Sequence, residues 1–431
     1  MKIVQIVPGS GGTFYCENCL RDSSLARCLH TLGHDAMLIP MYLPVFTDEP
    51  QAGSDVPVFF GGINVYLQQK FGIFRKTPRW LDRLFDSSWL LKMAAKQAGS
   101  TTAAGMGDMT LSMILGAEGR QAKELDRLVT WLAEQEQPDI VHIATIMLIG
   151  LARQIKERLG VPVVVSMQDE HVWLDSLDKP YDKRCWEAIG ERTPDCDAFI
   201  SVSDYYADFM RERVGMPAEM VHTVHIGIET EGYEQAPLSF DPPVLGYLSK
   251  MTPSLGFGKL VDAFIALKKK EGLVNLKLRA MGGMTGGDKA FLAEMRKKLD
   301  AEGFGGDVEL LPELDKASRQ KFLDSLSVLC VPIEDGEAFG SFMIESWAAG
   351  VPVVMPKVGG FVELIEQTGG GIMYEVEDNG LVAALESVLC DAERARALGT
   401  AGRASVADAF TIRHMAENTL KVYELVLKGE E

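Results

Sequence analysis

Short apolar runs alternate with amphipathic, helix-period stretches along almost the whole chain. βαβ units produce this alternation. A parallel strand is covered on both faces and reads as one apolar run, while its crossover helix shows a single apolar stripe. The runs predict strands near 2–7, 35–39, 56–67, 139–144, 161–167, 197–202 and 220–225. The proline-rich joint Pro237-Leu238-Ser239-Phe240-Asp241-Pro242-Pro243 interrupts the pattern. Strands resume near 244–249, 274–280, 307–311, 327–331, 351–354 and 371–374. The fold class is therefore α/β, with two doubly wound parallel-sheet, Rossmann-like domains over 1–236 and 243–410. From about 378 the pattern is helical, and the amphipathic tail 411–431 is expected to pack back on the first domain.

The segment 68–125 is long for a connection inside such a domain. It interleaves Lys70, Arg75, Lys76, Arg79 and Arg83 with Phe71, Phe74, Trp80, Leu84, Phe85 and Trp89. An acceptor lid or a membrane-surface contact is one reading. An inserted helical hairpin with aromatics as core is favoured, because no other part of the chain supports a membrane role.

Composition narrows the classes. At 431 residues, 47% hydrophobic and 24% charged, the chain has ordinary globular composition and is too long for one core. A formal charge of −18 opposes nucleic acid as partner, since phosphate-backbone affinity comes from clustered Lys and Arg. No apolar stretch reaches bilayer length, and Met1 to Val7 reads as a strand entering a Gly-rich turn rather than a signal peptide, so a cytoplasmic location is expected. Seven cysteines suggest reduced thiols. Cys16, Cys19, Cys28, His30 and His34 are of the types that hold zinc or do redox chemistry, but Leu20, Leu25 and Leu29 on the same helical period favour core packing.

The chemistry concentrates just past the run Val328 to Val331, where Glu337 and Glu345 stand eight residues apart. That spacing puts Glu337 at a strand's carboxyl end and Glu345 one turn into the next helix. Ligands of open α/β sheets bind in the crevice beyond the strand ends, where two carboxylates can accept hydrogen bonds from vicinal hydroxyls of a sugar or ribose. Gly9, Gly11 and Gly12 after the first strand can bring backbone amides to a phosphate. Their spacing does not fit the dinucleotide pattern, and the second strand ends in Ile39-Pro40 without an acid, so NAD is not expected. Gly359-Gly360 opens a further helix at a strand end and can cradle a diphosphate.

Glu337 to Glu345, the strand entry Ala348 to Val354 and the turn Gly359-Gly360-x-x-Glu363 together resemble the donor site of retaining GT-B glycosyltransferases, specifically the glycosyltransferase group 1 family, also numbered family four. Weaker matches spread the resemblance over nearly the whole chain. They are Gly11-Gly12, Pro138 to His142, Ser201-Val202-Ser203, Gly227 to Thr230 and Gly282-Gly283. The resemblance implies two Rossmann-like domains facing a cleft and transfer of a sugar from a nucleotide-diphosphate sugar, UDP-sugars first, with retained configuration. It implies Glu345 on the ribose, Glu337 on the donor sugar, and the amides of Phe339, Gly340 and Ser341 lining the sugar pocket. Gly11-Gly12 would face the diphosphate. The acceptor is unidentified, and neither a cofactor nor a metal is implied.

The chain departs from the family pattern at three places. Where Arg and Lys usually neutralise the leaving phosphates, Gly246 is followed by Tyr247, and Leu255 precedes Gly256; Lys250 and Lys259 are the nearby cations. Where His-x-His is common, the chain reads His142-Ile143-Ala144. Asp169 and His171, in Gln168-Asp169-Glu170-His171 after the following strand, can bind or deprotonate an acceptor hydroxyl. The alternatives are a degenerate homologue that binds a nucleotide sugar or a protein partner without turnover, and a sugar-nucleotide epimerase.

Overall fold

The computed structural model describes residues 1–9, 17–42, 103–283, 286–312, 315–376 and 380–429. The expected strand at 56–67, the aromatic and basic residues 70–89, and Gly11, Gly12 and Cys16 lie outside them. The chain divides into two compact units, Met1–His225 with Met415–Glu431, and Ile226–His414.

In the first unit, β1 (Lys2–Val7), β2 (Asp35–Pro40), β3 (Ile140–Ile143), β4 (Val163–Met167), β5 (Ala198–Ser201) and β6 (Val221–Thr223) form one sheet in the order β2-β1-β3-β4-β5-β6. Every pairing is parallel. All residues of β3, β4 and β5 are buried, as expected for strands sandwiched between helices. The chain leaves β1 for β2 on one side and returns to β3 on the other, so the β1/β3 boundary is the topological switch point of this sheet.

The second unit repeats the scheme with β7 (Val244–Leu248), β8 (Lys277–Met281), β9 (Val308–Leu311), β10 (Val328–Leu329), β11 (Val353–Pro356) and β12 (Gly371–Tyr374). Their order is β12-β11-β10-β7-β8-β9, again all parallel, with the switch point between β7 and β10. The loops after β7 and β10 thus open beside each other at the carboxyl edge, and they carry Lys250 and Glu337.

Of the long 68–125 segment, the described part includes the helix Gly107–Ile114, whose Thr110 to Ile114 face is buried. It lies against the helix Tyr181–Arg192: a methyl at Gly107 would sit 2.5 Å from the Tyr181 side chain. Among the described residues no helix is long and apolar enough to cross a membrane.

Candidate functional site

In the second unit, the loop holding Glu337 and the turn holding Gly359-Gly360 are built on one another. Gly360 N–H donates to Glu337 O at 2.9 Å. A Cβ on Gly359 would lie 2.8 Å from Glu337 O and 3.0 Å from its N, and one on Gly360 only 2.3 Å from Ala338 O. Gly359 has φ 60° and ψ −151°, a conformation open to glycine almost alone. Glycine at both positions is therefore required by backbone packing against Glu337 and Ala338, and the contact joins two motifs more than twenty residues apart in sequence.

Gly340, at φ 95°, starts the helix Ser341–Ala348. Phe339 beside it is buried, with its ring 6.4 Å from that of Phe410. Glu337 is half-buried and close enough to Tyr247 for its charge to help hold the phenol proton on.

Tyr247 itself is fully buried, and its hydroxyl lies 2.8 Å from Lys250 O and 2.9 Å from Leu255 O. With one proton it donates to one carbonyl at a time, and in either case it clasps the loop after β7. The Tyr247 side chain thus shapes the loop from beneath. Lys250 is exposed on that loop, and Lys259 is ion-paired with Glu334.

Glu345 is 6% exposed. Its Oε2 accepts from Arg319 Nε at 3.0 Å and from the Tyr233 hydroxyl at 3.1 Å. Arg319 is equally buried, so the two charges compensate each other out of water. The Tyr233 hydroxyl is held protonated, first by burial and then by the Glu345 charge. Neither Arg319 nor Tyr233 is signalled by any motif; they lie 26 and 112 residues from Glu345.

In the first unit, polar groups gather at the carboxyl ends of β1, β3 and β4. His142 is buried, with Nδ1 2.7 Å from the Tyr423 hydroxyl and Nε2 2.8 Å from Ser166 Oγ. Burial, helped by the Arg21 charge, pushes its pKa down to about 3, so the ring is neutral. Arg21 donates to Gln168 Oε1, and its partner Asp22 is pushed up by burial. Ala144, where the family pattern places a second histidine, is 3% exposed in an apolar cluster with Val7, Ala26 and Leu38. Its carbonyl accepts from Gln168 Nε2 at 3.1 Å.

The turn after β4 brings Asp169 and His171 to the same edge. Asp169 has φ 45°, a left-handed conformation uncommon for a residue with a side chain. His171 is half-buried, and burial lowers its pKa, which keeps the imidazole neutral at pH 7. Between them Glu170 is 3% exposed and accepts four hydrogen bonds. The donors are Thr145 Oγ1 at 2.8 Å, Ile146 N at 3.2 Å, Tyr206 Oη at 3.2 Å and Gln168 N. Burial raises its pKa to about 7 against the pull of those donors. The polar run after β4 signals Glu170, but only the fold shows that it is the buried member.

Comparison with known proteins decides the family. The model of Glycosyl transferases group 1 matches residues 231–405, and that of Glycosyltransferase Family 4 matches residues 114–231. The chain belongs to the group 1 glycosyltransferases of GT-B architecture. It is 25% identical over 289 residues to the D-inositol 3-phosphate glycosyltransferase of Segniliparus rotundus, covering 64% of this chain and 63% of that one. It therefore spans just under two thirds of that relative.

The sucrose-phosphate synthase of Thermosynechococcus elongatus superposes over 100% of both chains with a TM-score of 0.73 at 15% identity. An Anabaena protein solved in complex with UDP and glucose superposes over 98% of this chain and 99% of its own, with a TM-score of 0.66 at 14% identity. At these identities the likeness shows the fold. In this group 1 glycosyltransferase the match over 231–405 covers both the Glu337 to Glu345 stretch and the Gly359-Gly360 turn, and the match over 114–231 covers the Asp169 to His171 turn.

Proposed function

We propose that the protein is a retaining glycosyltransferase that moves a sugar from a nucleotide-diphosphate sugar, with UDP-sugars the first candidates, to an acceptor hydroxyl. The observation that carries this reading is the interlock of the Glu337 loop with the Gly359-Gly360 turn beside the β7/β10 switch point. It sets a carboxylate and two glycine-led backbones at the edge where α/β sheets take nucleotides. Glu337 takes the sugar hydroxyls, the amides from Phe339 to Ser341 line the sugar, and Gly359-Gly360 with Lys250 face the diphosphate. Gly11-Gly12 complete that role by resemblance. Glu345 faces the ribose while tied to Arg319 and Tyr233, since a carboxylate can accept about four hydrogen bonds. Asp169 and His171 in the first unit serve the acceptor hydroxyl.

Binding without turnover is the second reading, favoured by the pairing of Lys259 with Glu334, which engages one of the two lysines named for the leaving phosphates. Thermal unfolding with UDP and with GDP, followed by incubation of UDP-glucose with and without D-inositol 3-phosphate, separates the two. A UDP-dependent shift with sugar transfer supports the enzyme. A shift with no loss of UDP-glucose supports the binder. No shift with either nucleotide rejects a donor site.

A further inference from the structure

The first unit contains a chain of polar contacts that runs from Glu170 through Tyr206 to His171 Nδ1. Glu170 receives two backbone N–H groups, from Gln168 and Ile146, which cannot reverse direction, and two hydroxyls, from Thr145 and Tyr206. A carboxylate accepting on both oxygens orients the Tyr206 proton toward itself. The Tyr206 oxygen then presents lone pairs on its other side, toward the His171 backbone N–H and toward His171 Nδ1 at 3.4 Å.

That last distance is long, of the kind that tightens when substrate binds. The rings are held for it: His171 lies 5.4 Å from Tyr206 and 5.0 Å from Phe209, and Tyr206 and Phe209 stack at an interplanar angle of 10°. His171 Nε2 has no hydrogen-bond partner among the described residues.

We propose that Glu170 and Tyr206 are positioning residues that hold His171 in the Nδ1–H tautomer, so that Nε2 offers its lone pair to the acceptor hydroxyl. This rests on the acceptor-side reading of His171 above. In the transfer step the acceptor oxygen bonds to the anomeric carbon of the donor. The bond from that carbon to the phosphate oxygen breaks, with its electron pair leaving on the nucleoside diphosphate, and the acceptor proton passes to Nε2 and then to water.

If Glu170 takes a proton on its outer oxygen, the chain reverses: Glu170 donates to Tyr206, Tyr206 donates to Nδ1, and Nε2 becomes a donor that cannot accept the proton. Asp175 and Arg213 act on the imidazole with opposite charges, and the Asp169 charge acts on Tyr206.

Two measurements test this. The imidazole 15N shifts of His171 in the full chain at pH 8, assigned by loss of its signals in His171→Gln, are expected to show protonated Nδ1 and bare Nε2. A protonated Nε2 overturns the proposal and leaves the transferase reading untouched. Turnover of UDP-glucose with D-inositol 3-phosphate is expected to fall about tenfold in Tyr206→Phe, with the UDP-glucose KM unchanged and no further fall when Tyr206→Phe is added to His171→Gln. Independent, multiplicative losses in the double variant overturn it. Full turnover in His171→Gln beside a protonated Nδ1 likewise overturns the acceptor role, while transfer itself stands. If Tyr206→Phe does not fold, Glu170→Gln replaces it, with a change of His171 tautomer expected and an unchanged one contradicting the chain.

Discussion

Removing Arg319 gives the sharpest stability prediction in the second unit. Arg319 and Glu345 have side chains only 8% exposed and meet through a 3.0 Å contact, with Tyr233 closing the same oxygen. Arg319→Met keeps most of the aliphatic volume but leaves Glu345 buried without its countercharge. Breaking a buried pair by deleting one partner costs about 3–5 kcal/mol, against at most about 1 kcal/mol for an exposed pair. Glu345→Ala carries the same penalty from the other side, so its loss of UDP binding alone would not prove a ribose contact. Arg319→Met with Glu345→Leu removes both charges and is expected to recover at least half of the loss. Urea unfolding followed through Trp347, buried with its indole N–H on Gly370 O at 2.8 Å, reads the unit that holds the pair. Single-variant losses below about 1 kcal/mol, or a double variant as unstable as the sum of the singles, would refute the buried-pair account.

Three further outcomes follow from the same geometry. His142 has a folded pKa near 3, below its ordinary value, so the unfolded chain protonates first; its stabilising contribution is complete above about pH 6.5 and is lost as pH falls toward 3. Moving from pH 7.5 to 5 costs about 2 kcal/mol through this group, while Glu170, raised to about 7, gives the opposite slope between about 4.5 and 7. The difference between wild type and His142→Gln in urea melts isolates the first, and an unchanged slope in the variant contradicts it. Gly359→Ala drives a methyl into the Glu337 backbone and is expected to abolish any UDP-induced thermal shift at a stability cost of about 2 kcal/mol or more; a retained shift would show that the interlock is not the donor site. Tyr247→Phe releases the loop after β7 and is expected to raise the UDP-glucose KM several-fold, whereas an unchanged KM would mean that the clasp from Lys250 to Leu255 does not shape that subsite.

The sheets were legible because parallel strands bury both faces. Val163 to Met167 and Val353 to Pro356 carry their burial in their composition. β10 shows the limit of that signal. Its apolar run covers 328–331 and the strand is expected near 327–331, yet only Val328 and Leu329 stay in the ladder, since composition marks burial and hydrogen-bond register marks a strand. The two units meet in sequence at residues 225 and 226, while the proline-rich 237–243 joint lies inside the second unit. Tyr233 is tied there to Glu345, and Ala236 N–H to Ala349 O, contacts between residues more than a hundred positions apart. Glu337, Glu345 and the glycine pair stood out by spacing. Arg319, Tyr233, Tyr206 and Tyr423 did not, because each gains its role from a partner that only the fold brings near.

Amide hydrogen exchange of the full chain with and without UDP-glucose bears most directly on the central claim. A donor held at the β7/β10 switch point slows exchange in the loop 249–256, at 337–341 and at 359–361, and Glu337→Gln weakens that protection. Protection confined to other segments, or none at saturating UDP-glucose, would contradict it.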